Sequence, residues 1–422
     1  MGRSFEEDLS QLMRILHTSD WHLGHQLRGY ARDYEHDAFL SWLTQTLIDH
    51  EVDLLLIAGD IFDSANPPPS ALTRWYRFLA EVTRTCPGLQ VLAIGGNHDS
   101  AARLDAPNPL LDAMNVSVVG GMRRNSDRSP DWDAMTIPLK NRAGDTQAWC
   151  AAMPFLRASD LPIPEQEQDD RLISGVRRLY QDLIEYTCHK AESHQAVIAT
   201  GHCYMAGTEI SQLSERKILG GNLHALPVNI FSDQVAYVAL GHLHKAQAVG
   251  KREWVRYSGA PIPLSMNERL YQHEVRLVIL EDGKLVSAEP LSIPRFVRMK
   301  RLKRGPLDEV LAQIAELDDF QEGTPDAQRP YLDIPIVLEK PLPDLRRTIE
   351  AAMKNKHHRL VNIEPQYTGH GRALGDGRKR LNLKEMKVEE VFVSCYQRHH
   401  EGEPSPELMA LFNDLAGSAE EL

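Results

Sequence analysis

The feature that most constrains the fold is a series of short, apolar, β-rich runs between residues 14 and 280. In chain order these runs are RILHTS, VDLLLIAG, LQVLAIGG, VSVVG, AWCAAMPF, QAVIATG, QVAYVALG, EWVRYSG and HEVRLVIL. Several consist almost entirely of Leu, Ile, Val and Ala, which indicates strands buried on both faces of a sheet. Residues 35–50 and 70–85 carry apolar side chains at three- and four-residue spacing, which predicts helices. This alternation predicts an α/β fold with a largely buried sheet.

A second, smaller α/β domain is predicted after a turn signal at residues 281–283, so that the first domain covers 13–283 and the second 284–370. Its expected elements are strands near 295–302, 330–338 and 358–367 and helices near 306–319 and 342–355. Residues 371–383 are Gly-rich and basic and are interpreted as a linker. Apolar spacing resumes over 384–422, which predicts a helical tail. Residues 1–12 are expected to be an extension ahead of the fold.

The net charge of the chain limits how it could bind a nucleic acid. The chain has 422 residues, 47 of them Lys or Arg and 59 Asp or Glu, so its net charge is −12. A length of this order predicts two or three domains. A protein that binds nucleic acid through a broad basic face is usually basic overall. If this chain handles a polyanion, metal ions, a local patch or a partner must supply the positive charge.

The five cysteines indicate a reducing compartment, because they are scattered and form no C-x-x-C pair. We therefore expect a cytoplasmic protein without a disulfide framework or a thiolate zinc site. No apolar run approaches the roughly 20 residues that span a bilayer, and the acidic N-terminus does not resemble a signal peptide. No G-x-x-x-x-G-K-[ST] motif is present, which argues against ATP hydrolysis through a P-loop.

Five predicted strands are followed by polar residues of metal-ligand types. These residues are Asp20 and His22, Asp60 and Asp63, Asn97, His98 and Asp99, His202, and His242 and His244. Functional sites assemble at the carboxyl ends of strands in α/β sheets. In an extended chain, side chains two apart point the same way, so the last two histidines are expected to reach one pocket. Carboxylates, imidazoles and one carboxamide suit Mn²⁺, Fe²⁺, Zn²⁺ or Mg²⁺. Two such cations about 3.5–4 Å apart can hold the attacking and leaving oxygens of a displacement at phosphorus.

Each piece has a plainer interpretation when it is taken alone. A single histidine at a strand end is more often a core or capping residue, but five such pieces in this order favour a site. His17 is interpreted as a core residue, and the doublets at 357–358 and 399–400 as solvated surface. The basic clusters at 300–304 and 378–380 fit a solvated face and a phosphate-contacting patch equally well.

The ordered motifs D-x-H, G-D-x-x-D, G-N-H-D, G-H and G-H-x-H resemble those of the calcineurin-like metallophosphoesterase family. The longer sequence stretches around these motifs are similar to those of the SbcD family of bacterial nuclease subunits. These stretches are MRILHTSDWHLG, LLLIAGDIFD, IGGNHDS, ALGHLHKAQ and RYSGAPIPLS. The resemblance is strong over about 13–283, moderate in the second domain and loose in the tail. It implies a sandwich of two β-sheets flanked by helices, a small α/β capping domain that contacts DNA, and a C-terminal helical tail.

The resemblance also implies a role for each site residue. One metal ion is expected on Asp20, His22, Asp60 and His244. A second is expected on Asp60, Asn97, His202 and His242, with Asp60 bridging the two ions. His98 is expected beside the scissile phosphate, where it assists the leaving oxygen. Asp63 is expected to orient His98 through its carboxylate, and Asp99 either shares that task or caps the turn. The implied cofactor is a pair of Mn²⁺ ions, with Mg²⁺ as the alternative.

The implied activity is DNA cleavage: exonuclease action on double-stranded ends and endonuclease action on hairpins and single strands. The implied partners are DNA, an SbcC-like coiled-coil ATPase bound by the tail, and a second copy of the chain, which makes a heterotetramer overall. The dimer is expected through 70–85 and 103–114, where Trp75, Tyr76, Phe78 and Leu79 belong either to the interface or to the core.

Two other functions are compatible with parts of the sequence. One is a phosphoesterase acting on a small molecule or a phosphoprotein, because the motifs specify phosphate chemistry and not the leaving group. The other is a binding scaffold with a vestigial metal centre, which the complete set of ligand types disfavours.

Overall fold

The computed structural model describes residues 12–162, 171–209 and 225–368, together with a few positions between 392 and 412. The chain divides into two compact units, Met1–Tyr367 and Thr368–Leu422. The first unit contains both predicted α/β domains.

Strands dominate the first unit. They are β1 (Leu12–Thr18), β2 (Gln26–Leu27), β3 (Tyr30–Ala31), β4 (Leu54–Ala58), β5 (Gln90–Ile94), β6 (Val116–Val119), β7 (Thr136–Lys140), β8 (Thr146–Ala152), β9 (Ala196–His202), β10 (Tyr237–Gly241), β11 (Gln247–Val249), β12 (Arg252–Tyr257), β13 (Glu274–Glu281), β14 (Lys284–Ser292), β15 (Met299–Arg301), β16 (Tyr331–Leu338) and β17 (Arg359–Tyr367). The α-helices are α1 (Asp33–Asp49), α2 (Pro69–Thr85), α3 (Ala101–Asp105), α4 (Asn108–Leu111), α5 (Arg171–Lys190), α6 (Leu307–Ala315) and α7 (Leu345–Met353). Among the helices that the structure describes, none is both long enough and apolar enough to cross a membrane.

Two six-stranded sheets form the first domain, in the orders β14-β13-β1-β4-β5-β6 and β11-β12-β10-β9-β8-β7. In the first sheet β1, β4, β5 and β6 run parallel, and in the second β8, β9, β10 and β12 do. Antiparallel strands occupy the remaining positions. The parallel strands of each sheet therefore end on the same side, which collects the residues that follow them along one edge.

The continuous apolar sequence of β4 shows why the central strands are buried on both faces. Leu54 and Leu56 belong to a core shared with the second sheet, which contributes Ile198. Leu55 and Ile57 point the other way and belong to a core shared with α1 and α2. Side chains alternate between the two faces of a strand, so both faces must be apolar when both are covered.

All nine predicted strands and both predicted helices of the first domain are present. The sequence pattern missed β7, β11 and β14, which are edge strands and carry polar or exposed residues. The turn at Asp282 and Gly283 was interpreted as the end of the domain, but both residues have positive φ and join β13 to β14 as a tight hairpin. The first sheet therefore continues beyond residue 283 to Ser292.

The second domain contains the predicted βαβαβ arrangement. Its parallel strands lie in the order β15-β16-β17, with α6 and α7 as the crossovers. Val310 and Ile314 of α6 and Ile349 of α7 pack with Ile334 and Ile336 of β16 in a separate core. The amphipathic helices thus bury their apolar sides against the small sheet. We call residues 295–367 the capping domain.

The capping domain contacts the first domain through a buried polar network, which we call the cap interface: Arg32, Glu35, Tyr331 and Arg359. The Arg32 guanidinium donates to both Glu35 carboxylate oxygens, and its Nη1 donates to the Pro263 carbonyl at 2.7 Å. The Tyr331 hydroxyl donates to Glu35 Oε2 at 3.0 Å. The Arg359 guanidinium lies 4.2 Å from the centre of the Tyr331 ring. Each charge in this interface therefore has a partner in the other domain or next to it.

In the second unit the structure describes isolated positions only. The rings of Phe392 and Phe412 are stacked, with centroids 4.1 Å apart, and Tyr396 lies 6.5 Å from Phe392. The predicted linker at 371–383, most of the predicted tail and the histidine doublet at 399–400 lie outside the described residues.

Candidate metal centre

The predicted site residues follow the carboxyl ends of strands in both sheets. Asp20 and His22 follow β1, Asp60 follows β4, and Asn97 follows β5. The second sheet contributes the last residue of β9, His202, and the residues just after β10. The two sheets thus bring their ligand-type residues to one edge of the sandwich.

Backbone strain is concentrated at these positions. Asp20, His22, Asp60 and His242 all have positive φ, with values of 55°, 47°, 52° and 105°. Non-glycine residues seldom adopt this conformation, and it persists only where surrounding contacts impose it. The concentration of such residues at one edge is typical of a functional site.

Two glycines are required by close approach of site residues. A Cβ on Gly59 would lie 2.4 Å from Nδ1 of His202, and its φ is +88°. A Cβ on Gly96 would lie 2.2 Å from Oδ1 of Asp60 and 2.3 Å from its backbone nitrogen. Glycine at these two positions makes room for neighbouring side chains of ligand type.

Trp21 anchors the D-x-H motif from the opposite side. Its ring is fully buried and packs edge-on against Phe39, Trp75 and Phe78 of the helical layer. Its indole nitrogen donates to Thr18 Oγ1 at 2.9 Å. Because this large side chain is held in the core, its two polar neighbours are held in the site.

One half of the site is formed by His202, His242 and Asn97. His202 Nε2 and His242 Nδ1 each lie 3.0 Å from Asn97 Oδ1. His202 Nδ1 donates to the Ala58 carbonyl at 2.9 Å, which directs Nε2 toward the site. Three potential ligand atoms therefore converge from three different strands.

The other half is formed by Asp20, His22 and His244, which can supply ligand atoms within 4.8 Å of one another. The His22 and His244 rings lie 5.2 Å apart. Nε2 of His22 is buried and has no hydrogen-bond partner, whereas its Nδ1 faces the Asp63 carboxylate at 3.3 Å. Buried polar atoms are nearly always satisfied, and a metal ion is a partner that could satisfy this exception.

Asp60 lies between the two halves. Its Oδ2 is 3.3 Å from His202 Nε2 and 3.6 Å from His22 Nε2. Its Oδ1 accepts a hydrogen bond from the backbone nitrogen of His98 at 2.8 Å. One carboxylate oxygen thus faces histidines of both halves, as a bridging ligand must.

The electrostatics of the site also suit a cation. Burial by itself would raise the pKa of the Asp60 carboxyl, but His202, His22 and His98 hold it well below its usual value. Burial lowers the pKa of His202, yet Asp60 and Asp20 outweigh this and raise it. Burial, together with the charge on His202, lowers the pKa of His242 to about 3. The carboxylates of Asp60 and Asp20 favour a positive charge on His202. A divalent cation bound between these residues could supply that positive charge in place of the proton. The residue types and their arrangement fit divalent metal ions.

His242 and His244 reach one site, but by a different route from the predicted one. Strand β10 ends at Gly241, and the φ of 105° at His242 departs from an extended chain. His242 consequently packs against His202, with ring centroids 5.2 Å apart, whereas His244 packs against His22. The two histidines therefore lie in different halves of the centre.

His98 lies beside the centre, with its ring centroid 4.8 Å from that of His22. Its Nδ1 donates to the backbone carbonyl of Asp63 at 2.8 Å, not to the carboxylate that was expected to orient it. The Asp63 carboxylate instead lies 3.3 Å from Nδ1 of His22. Burial lowers the pKa of His98. The Asp63 residue thus holds His98 through the main chain.

Asp99 caps the loops around the centre. Its carboxylate accepts hydrogen bonds from the backbone nitrogens of Ile61, Phe62 and Gly96, at 2.9–3.1 Å. Burial and the nearby charge of Asp60 raise the pKa of this carboxyl. Of the two predicted roles, the structure shows the cap.

A cleft of about 700 Å³ opens from the centre toward the capping domain. His22, His98 and His244 line one side, and Arg301 and Glu364 of the capping domain line the other. Arg301 belongs to the basic cluster at 300–304. Its guanidinium donates hydrogen bonds to the carboxylates of Asp333 and Glu364. Arg301 is therefore paired with acidic residues of its own domain at the wall of the cleft.

Two residues of this region were missed by the sequence analysis. Glu268 accepts a hydrogen bond from His244, and His25 lines the cleft. His25 occurs directly after the recognised D-W-H-L-G run, so its position offered a signal. Glu268 lies in a short 3-10 helix, Met266–Leu270, outside every predicted element and motif, and offered none.

The remaining histidines had mixed outcomes. His17 is a core residue, as predicted: its Nδ1 lies 3.0 Å from the Tyr237 hydroxyl, and burial lowers its pKa to about 3. His358 was predicted to be solvated but is buried, because the chain enters β17 there and packs under the small sheet. His357 is half-buried.

Known proteins resemble this chain along most of its length. Residues 13–246 match the calcineurin-like phosphoesterase family, and residues 295–400 match the SbcD C-terminal family, described as the type 5 capsule protein repressor C-terminal domain. The SbcD subunit of nuclease SbcCD from Rhodobacter capsulatus is 39% identical over 358 residues, 83% of this chain and 87% of the relative.

Two further relatives carry the same name. The protein from Escherichia coli is 35% identical over 386 residues, 90% of this chain and 92% of the relative. The protein from Bacillus subtilis is 27% identical over 425 residues, 97% of this chain and 99% of the relative. With the geometry of the strand ends, these similarities establish that the chain belongs to the calcineurin-like phosphoesterase family, among the relatives of the SbcD nuclease subunits.

Proposed function

We propose that the chain is the nuclease subunit of an SbcCD-type complex and hydrolyses DNA phosphodiester bonds with two divalent cations. The observation that carries the proposal is the position of Asp60, whose Oδ2 faces histidines of both halves of the centre. The centre opens into the cleft beneath the capping domain, where a polymeric substrate has room to lie. The relatives named as nuclease subunits support DNA as the substrate.

The proposed ligands form two sets, one for each half of the centre. Asp20, His22, Asp60 and His244 would hold one ion, and Asp60, Asn97, His202 and His242 the other. Nitrogen and oxygen donors without a thiolate suit several divalent ions; the family resemblance makes Mn²⁺ the proposed metal, with Mg²⁺ as the alternative. When bound, two such ions neutralise the charge that develops on the phosphate and hold the attacking and leaving oxygens.

His98 is the proposed catalytic residue. Because its Nδ1 is engaged by the Asp63 carbonyl, its Nε2 is the nitrogen left to face a substrate in the cleft. When this ring is protonated on both nitrogens, as the negative charge of a bound phosphate favours, Nε2 can donate a proton or a hydrogen bond to the sugar oxygen that leaves phosphorus. Asp63 positions this ring and does not itself need to contact the substrate.

The proposed cleavage reactions are exonucleolytic on double-stranded ends and endonucleolytic on hairpins and single strands. We also propose that the tail from residue 384 docks on an SbcC-like coiled-coil ATPase. This partner would provide the P-loop that the sequence lacks and positive charge for DNA on a chain of net charge −12. We expect the complex in the cytoplasm, as the scattered cysteines predict.

The proposed homodimer uses the region of α2 to α4. Trp75, Phe78 and Leu79 are buried in the core, so they are not the interface residues. Tyr76 is half-buried, and Leu110 of α4 is 74% exposed. Tyr76 and Leu110 are therefore the apolar side chains of this region that we propose for the dimer contact.

The proposal is tested with the purified chain, alone and co-expressed with an SbcC-like partner. A DNA hairpin and a linear duplex in Mn²⁺ buffer are compared with a cyclic nucleotide and an aryl phosphate. We expect cleavage of both DNA substrates and its loss in EDTA. Activity on the small phosphate esters alone would overturn the DNA assignment and favour a small-molecule phosphoesterase. Fewer than two bound ions per chain in Mn²⁺ buffer would contradict the binuclear centre.

A further inference from the structure

His244 is held from behind by a buried carboxylate. Its Nδ1 donates to Oε1 of Glu268 at 3.1 Å, and the Glu268 side chain is completely buried. The other carboxylate oxygen accepts a hydrogen bond from the backbone nitrogen of Leu264 at 2.8 Å. The Ser265 hydroxyl donates a longer hydrogen bond to Oε1, at 3.4 Å. This buried carboxylate thus accepts from at least three donors, one of which is a proposed metal ligand.

The segment that carries Glu268 is fitted closely over His244. The backbone nitrogen of Ala260 donates to the His244 carbonyl at 3.1 Å. A Cβ on Gly259 would lie 2.7 Å from that same carbonyl oxygen, and Gly259 has φ +75°. Further along, the Pro263 carbonyl accepts from Arg32 of the cap interface. Residues 259–263 are therefore held by contacts with both His244 and Arg32. These contacts position the residues that follow, including Glu268.

The hydrogen bond decides which nitrogen of His244 faces the centre. When Nδ1 carries the proton and donates to Glu268, the lone pair is on Nε2, on the side of His22 and Asp20. A carboxylate behind a metal-binding histidine fixes its tautomer and ring orientation and makes the imidazole a stronger ligand. His202 has only a backbone carbonyl, that of Ala58, in the equivalent place. The two halves of the centre are thus supported differently.

We propose that Glu268 is a positioning residue that orients His244 and strengthens binding of the ion held by Asp20, His22, Asp60 and His244. The inference rests on the proposed metal centre. It assigns no contact between Glu268 and the substrate or the ion. It concerns one half of the centre, so its consequence is a selective loss of one of the two ions.

The test measures Mn²⁺ binding to the full-length chain by isothermal titration calorimetry, with bound metal counted by elemental analysis. Glu268→Gln keeps the shape but removes the charge and one of the two acceptor oxygens that face His244, Leu264 and Ser265, so the hydrogen bond to His244 is weakened or lost. We expect about a 10–100-fold weaker affinity for one of the two ions and little change for the other. Glu274→Gln is the matched control: Glu274 is also a buried glutamate, but it pairs with Arg276 and not with a histidine. Its Mn²⁺ affinities should equal those of the wild type.

A double-mutant cycle separates positioning from a general effect on folding. In a His244→Ala background, Glu268→Gln should cause no further loss of Mn²⁺ affinity, because its effect passes through His244. Additive losses would overturn the inference, as would unchanged Mn²⁺ affinities in the single variant. If Glu268→Gln does not fold, Glu268→Asp, which keeps the charge but shortens the side chain, must show the same selective loss.

Failure of this inference is distinguishable from failure of the proposed function. A wild type that binds two Mn²⁺ ions and cleaves DNA, with a Glu268→Gln variant that binds both ions equally well, overturns the role of Glu268 alone. A wild type that binds no pair of ions overturns the metal centre and the role of Glu268 together.

Discussion

The metal centre and the cap interface are both buried clusters of charged and aromatic side chains, but they satisfy their polar groups in different ways. In the cap interface, the Arg32 guanidinium donates hydrogen bonds to both oxygens of Glu35 and to the Pro263 carbonyl. The Tyr331 hydroxyl donates a further hydrogen bond to Oε2 of Glu35. In the metal centre, Nε2 of His22 is left without a hydrogen bond. The cap interface is complete as protein alone, whereas the centre leaves a buried ligand-type nitrogen for which a metal ion is a fitting partner.

The difference shows how a structural cluster can be told from a functional one. A buried polar network that satisfies every member stabilises one arrangement of the chain, whereas an unsatisfied buried group costs free energy unless something else binds it. The backbone agrees with this division: Asp20, His22 and Asp60 have positive φ, and none of Arg32, Glu35, Tyr331 and Arg359 does. Strain and unsatisfied atoms coincide at the centre. Substitutions in the two kinds of cluster should therefore have different effects on metal binding and on stability.

The largest effect is expected at the carboxylate shared by both halves. Asp60→Asn should abolish DNA cleavage and lower the binding of both ions, because a carboxamide has one acceptor oxygen and no charge. Metal content and hairpin cleavage are the measurements. Asp53→Asn is the control, since Asp53 is a buried aspartate that bonds to backbone nitrogens of Arg14 and Arg142 away from the centre. Normal cleavage by Asp60→Asn would contradict the bridging role.

His98→Ala should slow DNA cleavage by about 10²–10⁴-fold while both ions still bind, because only the assistance to the leaving oxygen is lost. Single-turnover cleavage measures the rate, and metal analysis measures whether both ions are still bound. His194, whose side chain is 60% exposed, provides the matched control as His194→Ala. A loss of bound metal in His98→Ala would place this histidine among the ligands instead.

In the cap interface, Glu35→Ala should lower the free energy of unfolding by about 3–5 kcal/mol, because it leaves the buried Arg32 charge without its partner. Denaturant unfolding measures this change. Both Mn²⁺ ions should still bind, which is the opposite of the outcome for Asp60. An unchanged stability would show that water or another group replaces the carboxylate.

The smallest effect is expected for Tyr331→Phe, which removes one hydrogen bond to Glu35 and keeps the ring under Arg359. The free energy of unfolding should fall by about 1 kcal/mol. The exposed Tyr367 provides the control, and Tyr367→Phe should change stability by less than about 0.5 kcal/mol. A loss equal to that of Glu35→Ala would mean that the hydroxyl is needed to hold the whole network.

Much of the centre could be predicted because its residues follow strongly patterned strands. The apolar sequence of β4 predicts a buried parallel strand, and Asp60 must then emerge at its carboxyl end. The Asp63 role could not be predicted at the level of atoms, because whether a main-chain carbonyl or a side-chain carboxylate meets His98 depends on the conformation of the loop. The hairpin at residues 282–283 was misread for a related reason: a turn signal does not say whether the next strand returns to the same sheet.

The sequence by itself determined the α/β class, the strand ends and the chemical types that gather there, because strand periodicity and ligand identity are local properties of the chain. Tertiary structure alone decided that Asp60 faces both halves, that His242 and His244 lie in different halves, and that Glu268 lies behind His244. Those relations join residues that are distant in the chain, and they depend on ångström-scale packing and on backbone angles that no residue pattern encodes.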